Sequence, residues 1–81
     1  MQSSETKLRQ IFADVFGVDA NSIDENSSVD TIDKWNSFNH MKLVLALEEQ
    51  YDVRFQTNQT IEMLSYPLVK AVLGEHGVVF N

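Results

Sequence analysis

The sequence predicts an all-α protein: a four-helix bundle of three longer helices and one short helix, with a long loop between helices 1 and 2. Three observations predict it. Apolar residues recur at helical spacing in several segments. Glycine and proline are scarce, at three and one among 81 residues, and the hydrophobic fraction is 43%. A chain of this length has room for one core, so residues 1–81 are expected to form a single domain.

The first helix is expected over residues 4–16. Its apolar side chains follow the i, i+3, i+4, i+7 spacing of one buried face: Leu8, Ile11, Phe12 and Val15. Either Ser3 or Ser4 suits its N-cap, and Gly17 suits its C-terminal cap.

Residues 18–36 form a long connection with five acidic residues and no basic residue before Lys34. Unstructured connections of this length are uncommon in compact domains, and many are functional or hold a short helical turn. We expect one such turn over residues 21–24.

The second helix is expected over residues 37–51, with Asn36 as its N-cap. It carries two apolar stripes. The predicted core stripe comprises Leu43, Val44, Leu47 and Tyr51. The other stripe lies roughly 150° around the helix and comprises Phe38, Met41 and Leu45. This second stripe either packs inside the bundle or stays exposed and docks a partner.

Two shorter helices complete the chain. Val53 and Phe55 alternate with charged residues and should pin an extended piece after the second helix. A short third helix is expected over residues 58–64, capped by Thr57 or Asn58.

The fourth helix is expected over residues 66–76. Ser65 suits its N-cap, and Pro67 is tolerated in the first turn. Gly74 and Gly77 are expected to mark its end. The residues expected to face inward are Val69, Val72 and Leu73.

The charge disfavours several partner classes. Six Lys and Arg against twelve Asp and Glu give a net charge of -6. Nucleic-acid binding normally needs a basic patch, so no nucleic acid is expected as a partner. No apolar run approaches the ~20 residues of a membrane helix, so we expect no membrane insertion and a cytoplasmic domain. Either the acidity attracts a basic partner or it only keeps a small domain soluble.

No catalytic or metal site is expected. Ser37, His40 and Asp33 have the residue types of a serine triad, but neighbouring positions on one helix rarely give its geometry. Cysteine is absent, and His40 and His76 lack metal-ligand spacing. We expect His40 to be a packed or half-buried structural residue, and the protein not to be an enzyme.

Ser37 suits another role. It falls in the first turn of the predicted second helix, where its hydroxyl should face solvent and be reachable by another enzyme. A phosphate ester there would lie near the positive end of the helix dipole. Ser37 is therefore either a modification site or an ordinary helix-start residue.

Residues 36–49 resemble the signature of the acyl carrier protein family. The run begins Asn-Ser-Phe where the family has Asp-Ser-Leu, and it ends Ala-Leu-Glu-Glu as the family does. Residues 51–55 are similar to the aromatic residue and extended segment that follow. Because the first helix, the acidic loop and the late short helix also fall where the family has them, the resemblance covers nearly the whole chain.

The resemblance implies a four-helix bundle with a covalent 4'-phosphopantetheine arm on Ser37, attached by a phosphopantetheinyl transferase from coenzyme A. The arm would carry acyl groups as thioesters in fatty-acid, polyketide or related specialised acyl biosynthesis. Acyl-activating or acyl-transferring enzymes would bind the second helix and the loop before it, and the carrier is expected to be a free-standing monomer. The implied partner surface comprises Trp35, Asn36, Phe38, Asn39, Met41, Lys42, Leu45, Glu48 and Glu49.

Several residues depart from the family pattern. Asn36 replaces the usual Asp, and Asn39 and Lys42 stand where the family often has acids. The first half of the second helix is therefore neutral to basic. Partner enzymes that recognise a continuous acidic helix should bind it poorly, which favours a specialised carrier. Phe38 is bulkier than the usual Leu. Trp35 either shields the arm or contacts a partner, or else it packs the loop.

Two alternatives remain open from the sequence. An aminoacyl or peptidyl carrier would use Ser37 in the same way, and the mass of the loaded arm would distinguish it. An unmodified helical interaction domain would bind a partner helix through the second stripe. Ser37→Ala separates the classes, because a carrier loses all function whereas an interaction domain keeps its binding.

Overall fold

The computed structural model describes residues 4–80, and within them it is all-helical with no strand. The helices are α1 (Ser4–Phe16), α2 (Ser37–Tyr51), α3 (Thr57–Glu62) and α4 (Tyr66–Glu75). The predicted fold class is confirmed: three longer helices, one short helix and a long loop between the first two.

α1 presents one apolar face to the core. Phe12 lies at the centre of this face and makes edge contacts with Phe16, Trp35 and Tyr66 at centroid distances of 5.2–5.7 Å. Gly17 ends the helix with a φ of 67°, which favours glycine because it lies in the left-handed region. Of the two proposed caps, Ser4 is already helical and Ser3 lies outside the described residues.

The loop over residues 18–36 is held together by hydrogen bonds between residues two or three positions apart. It contains a 3₁₀ turn at Ala20–Ser22, slightly earlier than expected, with Asp19 as its cap. The loop is also tied to the start of α4, where the backbone N–H of Tyr66 donates to the carbonyl of Ser27 over 2.8 Å. Its buried apolar side chains are Ile23, Ile32 and Trp35.

α2 has the predicted bounds and the predicted cap. The side chain of Asn36 accepts a hydrogen bond from the backbone N–H of Asn39 over 2.9 Å. The helix ends at Tyr51, and its C-cap Asp52 adopts a left-handed conformation with a φ of 54°. The predicted core stripe is confirmed: Leu43, Val44 and Leu47 are buried and Tyr51 is partly buried.

α3 differs from its prediction at both ends. It begins at Thr57, with Gln56 rather than Thr57 or Asn58 at the N-cap, and it ends at Glu62 instead of residue 64. The side chain of Gln59 reaches back and accepts a hydrogen bond from the Gln56 N–H over 3.0 Å. This contact stabilises the earlier start. None of the helix's six residues is buried.

α4 has the predicted cap, since the Ser65 hydroxyl accepts a hydrogen bond from the Leu68 N–H over 3.2 Å. It ends at Glu75, one residue early. Gly74 lies within the last turn, and Gly77, with a φ of 90°, follows the helix, so both mark its end as predicted. The predicted inward residues are confirmed as buried: Val69, Val72 and Leu73.

The bundle's helices are short and amphipathic. Across residues 4–80, no helix combines the length and the apolar character needed to cross a membrane.

Candidate functional site

Ser37 is the first residue of α2, and its side chain is exposed. Within residues 4–80, its hydroxyl makes no hydrogen bond. The reason is local: the preceding Asn36 supplies the capping oxygen, so the Ser37 hydroxyl is not used to satisfy a backbone N–H. The structure thus presents an accessible hydroxyl at the positive end of a 15-residue helix.

The surroundings of Ser37 suit a negatively charged substituent. The first turn of α2 carries no acidic residue. The loop before it is fixed because the Asn39 side-chain amide donates to the carbonyl of Lys34 over 2.7 Å. Lys42 is exposed on the second turn of the same helix.

A groove of about 480 Å³ opens beside Ser37, between the start of α2 and α3. Apolar side chains dominate its walls, and none of the described residues lining it is Asp, Glu, Lys or Arg. The lining residues are Val29, Trp35, Asn36, Ser37, His40, Met41, Thr60, Ile61 and Leu64.

Sequence reasoning missed three of the groove's apolar residues as parts of a site. Val29, Ile61 and Leu64 are 36%, 65% and 46% exposed, and together they line the groove. The 61/64 pair has the spacing of one helix face, but that signal says nothing about which surface the face borders. Val29 is an isolated apolar residue in an acidic loop, and no sequence pattern around it indicates a binding site.

Trp35 belongs to the core rather than to the partner surface. Its side chain is 5% exposed and packs against Phe12 and Phe16 at centroid distances of 5.4 and 5.0 Å. Of the roles that the sequence left open, loop packing agrees with this burial. An indole that is 5% exposed offers little area to a partner, although it lines the groove beside Ser37.

His40 is half-buried, as expected, and links three segments. Its Nδ1 accepts a hydrogen bond from Trp35 Nε1 over 2.9 Å, and its Nε2 lies 2.8 Å from the carbonyl of Thr60. With both ring nitrogens engaged elsewhere, His40 does not pair with Ser37. The arrangement of a serine triad is therefore not formed.

The second apolar stripe of α2 is exposed, so it does not pack inside the bundle, which was one of the two alternatives left by the sequence. Phe38, Met41 and Leu45 are 74%, 55% and 60% exposed. Lys42 lies beside them, with its Nζ 5.7 Å from the centre of the Phe38 ring. A contiguous apolar face of this kind, rimmed by charge, is typical of an interaction surface.

The two glutamates predicted for the partner surface differ in their settings. Glu49 is exposed. Glu48 is partly buried, and its Oε2 accepts a hydrogen bond from the backbone N–H of Phe55 over 2.9 Å. Glu48 therefore fixes the extended segment after α2, a structural contact that the sequence did not indicate.

A separate polar cluster joins the start of α1 to α4. Lys70 Nζ lies 2.8 Å from one carboxylate oxygen of Glu5, and the Tyr66 hydroxyl donates to the other over 3.0 Å. The hydrogen bond from Lys70 holds the pKa of Glu5 below its ordinary value. Burial, with the neighbouring Glu5, raises the pKa of Tyr66 to about 12.

The chain matches no protein-family model and no curated protein.

Proposed function

We propose that the protein is an acyl carrier that bears 4'-phosphopantetheine on Ser37 and presents thioester-bound acyl groups to partner enzymes of a specialised acyl biosynthesis. One observation carries the proposal. An exposed hydroxyl with no hydrogen bond within residues 4–80 lies at the N-terminus of α2 and at the edge of an apolar groove. The resemblance of residues 36–49 to the carrier signature adds to it.

The helix end supports the chemistry of attachment. A phosphodiester on Ser37 Oγ adds a negative charge beside backbone N–H groups that have no intrahelical acceptor. Asn36 leaves the Ser37 hydroxyl accessible to a transferase while it caps the helix. The arm would therefore be attached without disturbing the cap.

The groove favours an acyl cargo over an aminoacyl cargo. Its volume of about 480 Å³ falls within the range of small-molecule pockets. An aminoacyl group carries an ammonium, which would need a carboxylate partner when removed from water. None of the described residues that line the groove supplies one.

The exposed stripe of α2 supports docking by partner enzymes. Phe38 and Leu45 offer exposed apolar area on the helix that begins at Ser37, and Lys42 lies between them in sequence, in a helix whose first acid is Glu48. A partner that fits this face combines an apolar depression with a carboxylate for Lys42.

The experiment is intact mass spectrometry after incubation with coenzyme A and a broad-specificity phosphopantetheinyl transferase. We expect a gain of one phosphopantetheine group that is abolished in Ser37→Ala and retained in Ser22→Ala, a second exposed serine on the 3₁₀ turn. A folded protein that gains no mass with several transferases would contradict the proposal.

The exposed stripe also favours a second candidate, an unmodified interaction domain that binds a partner helix. In that case Ser37→Ala would leave partner binding unchanged and Phe38→Ala would weaken it. A carrier instead loses its function in Ser37→Ala, because the arm has no attachment point.

A further inference from the structure

α3 forms one wall of the groove but contributes no buried residue to the core. Its N-terminal half is held toward α4 by Gln59, which hydrogen-bonds to Glu75 over 3.2 Å and to His76 over 3.0 Å. Its C-terminal half is held toward α2 by the contact between His40 and the Thr60 carbonyl. Segments with few buried apolar contacts open most easily, so these polar contacts help to hold α3 in place, together with the buried Met63 that follows the helix.

The contact with Thr60 also completes the end of α3. Because the helix stops at Glu62, its last carbonyls have no intrahelical N–H to accept from. The ring of His40 supplies a donor for one of them, across 20 positions of sequence. A backbone N–H could donate to the Thr60 carbonyl in the usual helical pattern only if the helix continued beyond Glu62.

The neighbours of His40 determine which nitrogen carries its proton. The indole N–H of Trp35 can only donate, and the Thr60 carbonyl can only accept. Nδ1 is therefore the acceptor and Nε2–H the donor. The near-parallel rings of Trp35 and His40, 21° apart, keep the imidazole aimed at α3.

We infer that His40 is a positioning residue, whose Nε2–H holds α3 at the Thr60 carbonyl and thereby sets the width of the groove that protects cargo on Ser37. The part concerning cargo rests on the proposed function. The part concerning α3 does not, because it follows from hydrogen bonds within the unmodified chain.

Three substitutions separate the two contacts of His40. His40→Gln places a donor near the position of Nε2 and keeps the bond to Thr60. His40→Asn places an acceptor near Nδ1 and keeps only the bond to Trp35. His40→Leu keeps neither. Val72→Ala, a buried position on α4 away from the groove, serves as a control for general loss of stability.

The first measurement is amide hydrogen exchange of residues 57–62 in the unmodified protein. We expect exchange to rise about fivefold in His40→Asn and His40→Leu, the effect of one lost hydrogen bond, and to stay near the wild-type rate in His40→Gln. The control should not raise exchange selectively in this segment. Equal exchange in all variants, or a Gln variant that behaves like the Leu variant, would overturn the inference.

The second measurement is the rate at which hydroxylamine cleaves an octanoyl thioester on the Ser37 arm. Faster cleavage in the Asn and Leu variants, with wild-type cleavage in the Gln and Val72→Ala variants, would support the role in protecting cargo. Cleavage that does not depend on residue 40 would refute that role while the carrier function stands. If Ser37 accepts no arm, the proposed function fails with the cargo part, and hydrogen exchange still decides the α3 part.

Discussion

At the scale of the residue, the site depends on the different roles of Asn36, which caps α2, and Ser37, which stays exposed. Serine is itself a good N-cap, so a serine at the start of a helix is often committed to a backbone N–H. Here Asn36 takes that role, with its side chain 2.9 Å from the Asn39 N–H. The Ser37 hydroxyl is consequently left exposed one position into the helix.

Replacing Asn36 should therefore destabilise the protein without changing the exposure of the Ser37 hydroxyl. We expect Asn36→Ala to lower the free energy of unfolding by ~1 kcal/mol, the usual cost of a lost N-cap, as measured by urea denaturation. Asn36→Asp is the matched control, because it keeps an oxygen acceptor and adds a charge that the helix dipole favours. An alanine variant as stable as the aspartate variant would show that the cap is not used in solution.

At the scale of the element, α2 is divided into a buried face and an exposed face. Leu43 and Leu47 are 0% exposed, whereas Leu45 is 60% exposed on the same helix. The first face holds the bundle together, and the second is available to a partner.

Truncating one leucine on each face tests this division. Leu47→Ala should cost ~2–5 kcal/mol, because it leaves a cavity in the core. Leu45→Ala should change stability by less than about 0.5 kcal/mol, as exposed substitutions usually do. The two unfolding curves, compared in urea, measure the difference, and similar costs would show that the second stripe is buried in solution.

At the scale of the whole molecule, Glu5 ties the beginning of the bundle to its last helix. Its carboxylate accepts from Tyr66 and Lys70, and Arg9 lies 3.4 Å from it on α1. Since Lys70 holds the pKa of Glu5 below the ordinary value of 4.5, this contribution is fully present above that pH. It is lost as the pH falls and the folded protein takes up the proton.

Glu5→Gln should therefore lower the free energy of unfolding by ~1–2 kcal/mol at pH 7, less than a fully buried hydrogen bond to a charged group contributes, because the Glu5 and Lys70 side chains are partly exposed. The deficit relative to the wild type should shrink as the pH is lowered through the carboxyl's titration, because the wild type loses the same charge. Urea denaturation at neutral and acidic pH measures it. A deficit that is the same at both pH values would contradict this account.

The amino-acid sequence determined the elements whose signals are local. The bounds of α2 follow from apolar periodicity and from its cap Asn36, and the end of α1 follows from Gly17. The choice of Ser37 follows from its place in the first turn of α2 and from the resemblance of residues 36–49 to the carrier signature. The predicted bounds of α3 are wrong at both ends. A short helix has little periodicity, and the start of this one depends on the contact between Gln56 and Gln59.

Only the tertiary structure decided what those elements form together. The groove brings Val29, Met41 and Ile61 from three separate segments to one surface beside Ser37. The same packing buried Trp35 in the core and exposed the second stripe of α2. Periodicity gives the direction of a side chain around its own helix, but burial depends on which neighbour covers that direction, and that is fixed only when the helices pack.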